Sequence, residues 1–464
     1  MKIALKIIKW IAGSLLGFIV IVGLCWWLIP DDAVDPEAEK FVAQAAVPPA
    51  EKNAYFMIWG LVASPDLDPH TVGQQIVAAH DRIAAAEKDL SRFKVDSFYG
   101  DNPLKFPKDS KRLCDAEKEI CLLVYQAKRP EVEAQSEEYK IYLARYRKIR
   151  DYEEFGAAMS QQNYQTPIPN WQPILRMSDL VDAAIAQRVA ATGSRQAALE
   201  ELAAEINSWR RLLQGNDWLV TQMISAATLR RKYQLASEIM SAFPEVVSAY
   251  PAVIGKITAP LQPGETNILK AIRAEARSSI AFHRDLRQRG HFLADTALEG
   301  MPGLLLRVAL QVGGYRSNAS INQSYAEFKV ADDILSKSPK ALIDGHKTML
   351  EEHKKADALS ISALFFNPVG RRTSGIEYRN YIDYAFRIDD LIGLSRLVEL
   401  QRRIIESNVA LDKVGAVLAS AGPDLMDPYT EKPMQWDATT KRVSFVLQGK
   451  RYANFGYVPL GHFK

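Results

Sequence analysis

Seven histidines, three cysteines and several paired basic residues are the side chains in this chain whose chemistry could go beyond packing. Six of the histidines fall into spaced pairs: His70 and His80, His283 and His291, His346 and His353. A zinc site on one helix needs ligands about one turn apart, as in His-Glu-x-x-His, so that both rings reach one ion. Separations of seven, eight or ten residues put the rings two or more turns apart, about 10 Å or further. The spacing predicts structural or surface histidines and no metal site. Ser91-Arg-Phe-Lys94 matches the Ser-x-x-Lys of penicillin-interactive enzymes, but the companion Lys-Thr-Gly and Ser-Asp-Asn elements are absent. Glu406-Ser407 has the form of the Glu-Ser pair of lytic transglycosylases. Asp424-Leu425-Met426-Asp427 stands where Gly-Leu-Met-Gln should follow. With no Gly-x-Ser-x-Gly, Walker loop or Gly-x-Gly-x-x-Gly, the sequence points to no catalytic residue and no cofactor.

Two cysteines, Cys114 and Cys121, lie outside the N-terminal apolar run. On a continuous helix their α-carbons would stand about 10 Å apart, too far for a bridge. Gly100, Pro103 and Pro107 before them and Pro130 after them interrupt any such helix. A structural disulfide closing a small loop is therefore predicted. Arg210-Arg211, Arg230-Arg231-Lys232, Arg371-Arg372 and Arg402-Arg403 read as snorkelling or ion-paired helix faces. The formal net charge is +3, from 58 basic and 55 acidic residues, so no concentrated basic surface argues for nucleic acid. Trp171, Trp209, Trp218 and Trp436 are expected in an aromatic core.

The elements that would hold these residues are mostly helical. Apolar periodicity predicts helices over 71–93, 131–162, 178–214, 217–242, 264–290, 300–312, 324–336, 339–366 and 376–421. Thr71 and Asp217 are candidate caps, and the prolines between Thr166 and Pro173 break the pattern. The helix over 131–162 is expected to be long and exposed. No repeat of 30 to 50 residues aligns convincingly, so a solenoid is not supported. Only the tail alternates like strands, with Val443, Phe445 and Leu447 before Gly449-Lys450 and Tyr452, Phe455 and Tyr457 after it. The expected fold is mainly α: an N-terminal transmembrane helix, an irregular multi-helix array and a small C-terminal β-hairpin.

Lys2, Lys6 and Lys9 precede an apolar run from Trp10 to Ile29. Twenty helical residues rise roughly 30 Å, the thickness of a bilayer's hydrocarbon core. Trp10 marks one interface and Trp26 and Trp27 the other. Lysines before the run and Asp31, Asp32, Asp35, Glu37 and Glu39 after it orient the N-terminus to the cytoplasm. The run is too long for a signal-peptide core and ends in Cys-Trp-Trp-Leu-Ile-Pro, so a retained signal-anchor is expected. Leu24 before Cys25 argues against a lipoprotein, and Gly13 and Gly17 form a Gly-x-x-x-Gly pair that permits span dimerisation. This divides the chain into a cytoplasmic stub (1–9), an anchor (10–29), an extended tether (30–52), a helical periplasmic region (53–422, with a sub-boundary near 163–176) and a tail (423–464).

Two segments resemble a family of uncharacterised membrane-anchored periplasmic proteins of Gram-negative bacteria. The first runs from Asn53 to Leu61 and on through Asp68-Pro69-His70 to Val72-Gly73. The second is Asp427-Pro428-Tyr429-Thr430, with Lys432-Pro433-Met434 and Trp436. The family's motif has glycine where Glu431 stands, a departure at a tight turn. The resemblance implies an inner-membrane, periplasm-facing address and no activity. The expected function is a non-enzymatic binding or envelope-maintenance platform with a protein partner in the envelope; the alternative is a periplasmic hydrolase of envelope material. An acidic residue of strongly raised pKa in a deep cleft would favour the hydrolase, and a broad apolar or aromatic groove without such residues would favour binding.

Overall fold

The computed structural model describes residues 28–43, 47–86, 90, 93–106, 112–159, 166–215, 218–297, 314–345, 366–367, 369–370, 378–449 and 456–461, with isolated positions between 10 and 24; side chains of 287–297 and 378–379 are not described. The helices are α1 (Pro36–Phe41), α2 (Ala54–Gly60), α3 (Pro69–Ala85), α4 (Cys121–Ala127), α5 (Arg129–Glu138), α6 (Lys140–Lys148), α7 (Trp171–Val189), α8 (Arg195–Gly215) and α9 (Leu219–Ala242). They continue as α10 (Glu245–Ala249), α11 (Pro251–Thr258), α12 (Leu269–Ala297), α13 (Ser317–Leu335), α14 (Tyr378–Glu406) and α15 (Val414–Ala419). Strands β1 (Gln435–Asp437), β2 (Arg442–Ser444) and β3 (Tyr457–Pro459) form an antiparallel sheet in that order. The expected hairpin is thus a three-stranded sheet: Val443 pairs with Trp436 on one side and Val458 on the other.

Helix α9 is central and touches α4, α7, α8, α11, α12, α14 and β3. Buried residues occur all round it, from Leu229 and Tyr233 to Arg230, Lys232 and Glu238, as expected of a helix enclosed by others. The predicted helix over 178–214 is two helices. Arg195 turns its guanidinium back to the carbonyl of Val189, 2.8 Å away, and closes α7 where Ala-Thr-Gly-Ser follows. The exposed helix expected over 131–162 is α5 and α6, with Tyr142, Leu143, Arg145 and Tyr146 buried. Arg145 explains the departure: it donates to the carbonyls of Leu61, Ala63, Ser64 and Leu67, so this face is fixed to the loop after α2. The long last helix stops at Glu406, and Asn408 reverses the chain at φ 46°.

Asp68, rather than Thr71, caps α3, with Pro69 in its first turn; the Asp68 carboxylate accepts from the Thr71 amide at 2.8 Å. Helices α2 and α3 approach closely at two glycines. A Cβ at Gly73 would lie 1.8 Å from the Phe56 carbonyl oxygen, and one at Gly60 would lie 1.8 Å from that of Pro69. The first resembling segment is thus a tightly packed helix pair.

Of the expected anchor, Trp10, Gly13, Gly17, Val20, Ile21, Leu24 and Leu28 have helical backbone and are exposed. Among the described residues no heavy atom outside the helix's own backbone approaches Cβ positions at Gly13 or Gly17 within 4 Å. Trp26 and Trp27 lie outside the described residues, and among the described residues no helix is long and apolar enough to cross a membrane. The segment expected as an extended tether is docked over 31–43. Asp31 accepts from the amides of Asn318 (3.0 Å) and Ala319 (3.1 Å), two of the unpaired donors at the start of α13. Arg277 donates to the carbonyl of Val42, and Arg284 pairs with Glu39.

Candidate binding cleft

The residues singled out from the sequence are scattered. His70 stacks on Tyr152 and contacts the Ala50 carbonyl, while His80 meets Asp81. His283 is buried between the hydroxyls of Tyr315 and Ser324, and burial lowers its pKa to about 4. The side chain of His291, together with His346, His353 and Ser91, lies outside the described residues. Glu406 pairs with Arg402 at the surface. Among the described residues no group of three His, Cys, Asp or Glu could hold a metal ion. Trp171 and Trp209 are buried, while Trp218 and Trp436 are partly so.

Cys114 and Cys121 are joined, with α-carbons 5.6 Å apart, because the chain turns between them. The bridge sets the start of α4, whose Leu122 amide donates to Glu238 of α9 at 2.8 Å. Burial raises the Glu238 carboxyl to about 7 against these hydrogen bonds.

One of the basic runs, Arg230-Arg231-Lys232, enters an ionic core, while Arg210 pairs with Glu265, Arg402 and Arg403 pair with Glu399, and Arg371-Arg372 lie outside the described residues. Lys232, fully buried, lies 2.7 Å from Asp182 and 2.9 Å from Glu205. Tyr146 donates to Glu205 and accepts from Trp209. Next to it Asp179 takes Arg231 at 2.6 Å, the Tyr125 hydroxyl at 2.7 Å and the Leu113 amide at 2.8 Å. Burial works against the charge on Lys232, yet its two carboxylates hold its pKa above the ordinary lysine value. Burial raises Asp182 to about 6.

A cleft of about 760 Å³ opens between α14, the segment leading into α12, the end of α13 and the tail. Helix α14 gives it Ile388, Asp389, Ile392 and Arg396, one turn after another. Leu261, Leu335, Leu342 and Met426 add apolar wall, and Lys337, Asp427 and Glu431 also line it. Burial, with Asp390 beside it, raises Asp389 to about 8, so the group is largely a neutral acid at pH 7. Arg396 donates to the Met426 carbonyl at 2.7 Å and feels Asp424, Asp389 and Asp427.

The tail wall is built by the second resembling segment. The Asp427 amide donates to the Lys432 carbonyl and the Glu431 amide to the Asp427 carbonyl, closing a loop. The Asp427 carboxylate accepts from the Tyr429 amide at 2.8 Å. Glu431 takes φ 54°, the left-handed region where glycine is favoured. The buried Tyr429 reaches α14 and donates to Asp390 at 2.7 Å; Asp390 also accepts from the amides of Gln448 (3.0 Å) and Gly449 (2.9 Å). Asp390 thus ties the tail to α14, while its neighbour Asp389 lines the cleft. Sequence reasoning passed over Asp389-Asp390. Only their place on a helix rich in Leu and Ile set them apart from other aspartates.

No protein-family model, curated protein or solved structure matches this chain.

Proposed function

We propose that the chain is a non-enzymatic binding platform of the Gram-negative envelope, held in the inner membrane by residues 10–29 with its helical body in the periplasm. Its cleft takes a partly apolar ligand or partner segment. The observation that carries this reading is the cleft itself: apolar side chains of α14, α13 and the tail share its wall with charged groups, among them Lys337, Asp389 and Arg396, a mixture suited to a ligand with apolar and polar parts. The exposed apolar positions before Leu28 and the lysines at the N-terminus support the anchor.

A photo-crosslinking residue at Lys337, used in intact cells with the full chain, tests the platform. An adduct formed from Lys337, and absent from the same probe at Lys329 on α13, is the expected result. No adduct from either position overturns it.

Asp389 favours a second reading, a hydrolase of envelope material. A carboxyl that keeps its proton at pH 7 at the wall of a cleft can give it to a leaving group. Release of soluble fragments from purified cell-wall polymer, lost in Asp389→Asn, would select this reading over the platform.

A further inference from the structure

A second pocket, of about 380 Å³, shares no lining residue with the cleft and is walled by Arg112 and Leu113, by α5 and by α7. Its most deeply buried charge is Asp179, which is 1% exposed. One oxygen of this carboxylate accepts from Arg231 at 2.6 Å and from the Tyr125 hydroxyl at 2.7 Å. The other accepts from the Leu113 amide at 2.8 Å and from Arg176 at 3.5 Å. A carboxylate offers about four lone-pair positions, so this one is saturated.

Arg112 is left over. Asp179, Arg231 and Arg176 act on its guanidinium, and among the described residues no carboxylate forms an ion pair with it. Its backbone is nevertheless held in place. The next residue, Leu113, donates its amide to Asp179 and accepts from Lys128 at its carbonyl, and Cys114 is bridged to Cys121. Arg176 stands one turn of α7 before Asp179 and Leu180, with 13% of its side chain exposed. Burial lowers the pKa of both guanidinia, and repulsion from Arg231 adds to this at each; Asp179 and Tyr125 offset only part.

Three guanidinia thus gather about one carboxylate, and two of them line a pocket. Elsewhere buried cations are matched: Lys232 has two carboxylates and Arg210 takes both oxygens of Glu265. Surplus charge partly removed from water is costly until a counter-charge meets it. The pocket also limits what enters. Glu131 and Glu138 lie on its α5 wall, on one helix face with Gln135, and would repel a polyanion. Phe106 and Tyr139, with ring centroids 5.4 Å apart, add an aromatic surface.

We propose that Arg112 and Arg176 form a binding site for a single oxyanion, a carboxylate or phosphate group carried by a small ligand, with Phe106 and Tyr139 as the surface for the rest of that ligand. The paired guanidinia supply planar donors suited to either group. The site depends neither on the anchor nor on the occupant of the cleft.

The full chain, purified in neutral detergent with its disulfide intact, is melted in increasing inorganic phosphate or acetate, with ionic strength held constant by sodium chloride. A saturable rise in melting temperature above that in chloride is expected. A response to phosphate alone assigns the site to phosphate esters, to acetate alone to carboxylates, and to both to either group; a response to neither overturns the proposal. Phosphate stabilises folded proteins in general, so the variants decide. Arg112→Gln and Arg176→Gln are each expected to weaken the apparent affinity about tenfold or more, and Lys256→Gln, exposed on α11, to leave it unchanged. Equal anion responses in the parent and both arginine variants overturn the site. Should Arg176→Gln fail to fold, Arg112→Gln carries the test alone, because that residue is exposed. In chloride alone Arg112→Gln is expected to melt no lower than the parent, since surplus charge is removed. A clear drop there marks Arg112 as part of the frame and also overturns the proposal.

Discussion

The ionic core around α9 and the cleft beside α14 both take carboxylates out of water, and they do so in opposite ways. In the core, Asp179, Asp182 and Glu205 each face a cation within 3 Å, and tyrosine hydroxyls fill further lone pairs. At the cleft, Asp390 is met by a hydroxyl and two amides, while Asp389 has like charge beside it and keeps its proton to about pH 8. A buried carboxylate surrounded by donors is part of the frame. One that stays protonated at the wall of a cavity is free to meet something that enters.

The core should give the largest effect. Lys232→Met leaves Asp182 and Glu205 facing each other without their cation, and chemical unfolding should show a loss of about 3–5 kcal/mol. Replacing Lys232, Asp182 and Glu205 together by Met, Leu and Leu should recover much of it, since the uncompensated charge goes too. A triple variant no more stable than the single one would mean that the network's geometry, rather than its charge balance, holds these helices.

Asp390→Asn should cost about 1–3 kcal/mol, because an amide nitrogen must then face an amide donor. The readout is a lower unfolding midpoint together with protease cleavage inside 423–449. Asp389→Asn, one residue away, should act in the other direction. The Asp389 carboxyl ionises near 3.8 when exposed and at about 8 in the fold. Its contribution to stability is therefore complete below about pH 4 and is lost as pH rises towards 8. Asparagine removes that slope. Thermal melts should find the variant similar to the parent at pH 4 and more stable at pH 8; equal pH slopes in the two proteins would place Asp389 in contact with an undetected donor. The smallest effect is expected from Glu431→Gly, which relieves the left-handed backbone at φ 54° and should stabilise by up to about 1 kcal/mol. Its exposed ion pair with Lys340 contributes little against this.

Much of the scaffold was legible in the chain. Gly215-Asn216 marked the joint before α9, and Cys114 and Cys121 had to be brought together by a turn. These are local signals: a residue that cannot continue a helix, or a pair whose distance on a helix is fixed. The break inside the predicted 178–214 helix escaped notice because it is made by a side chain, Arg195, turning back to the Val189 carbonyl, and the burial of the 140–148 face escaped notice because Arg145 meets carbonyls of the remote loop at 61–67.

By itself, then, the sequence determined helices, turns and the apolar run at the N-terminus, because periodicity and backbone chemistry act over a few residues. The tertiary structure decided which charges are structural. Arg230-Arg231-Lys232 reads as a snorkelling or ion-paired helix face, and only the packing of α7, α8 and α9 makes Lys232 a buried counter-ion to two particular carboxylates. Asp389 and Asp390 are adjacent and alike in sequence, and what separates them is contributed from far along the chain. Tyr429, Gln448 and Gly449 fold back onto one aspartate and leave the other at the cleft. A carboxyl's role depends on its donors and its access to water, and both are set by contacts between residues remote in sequence.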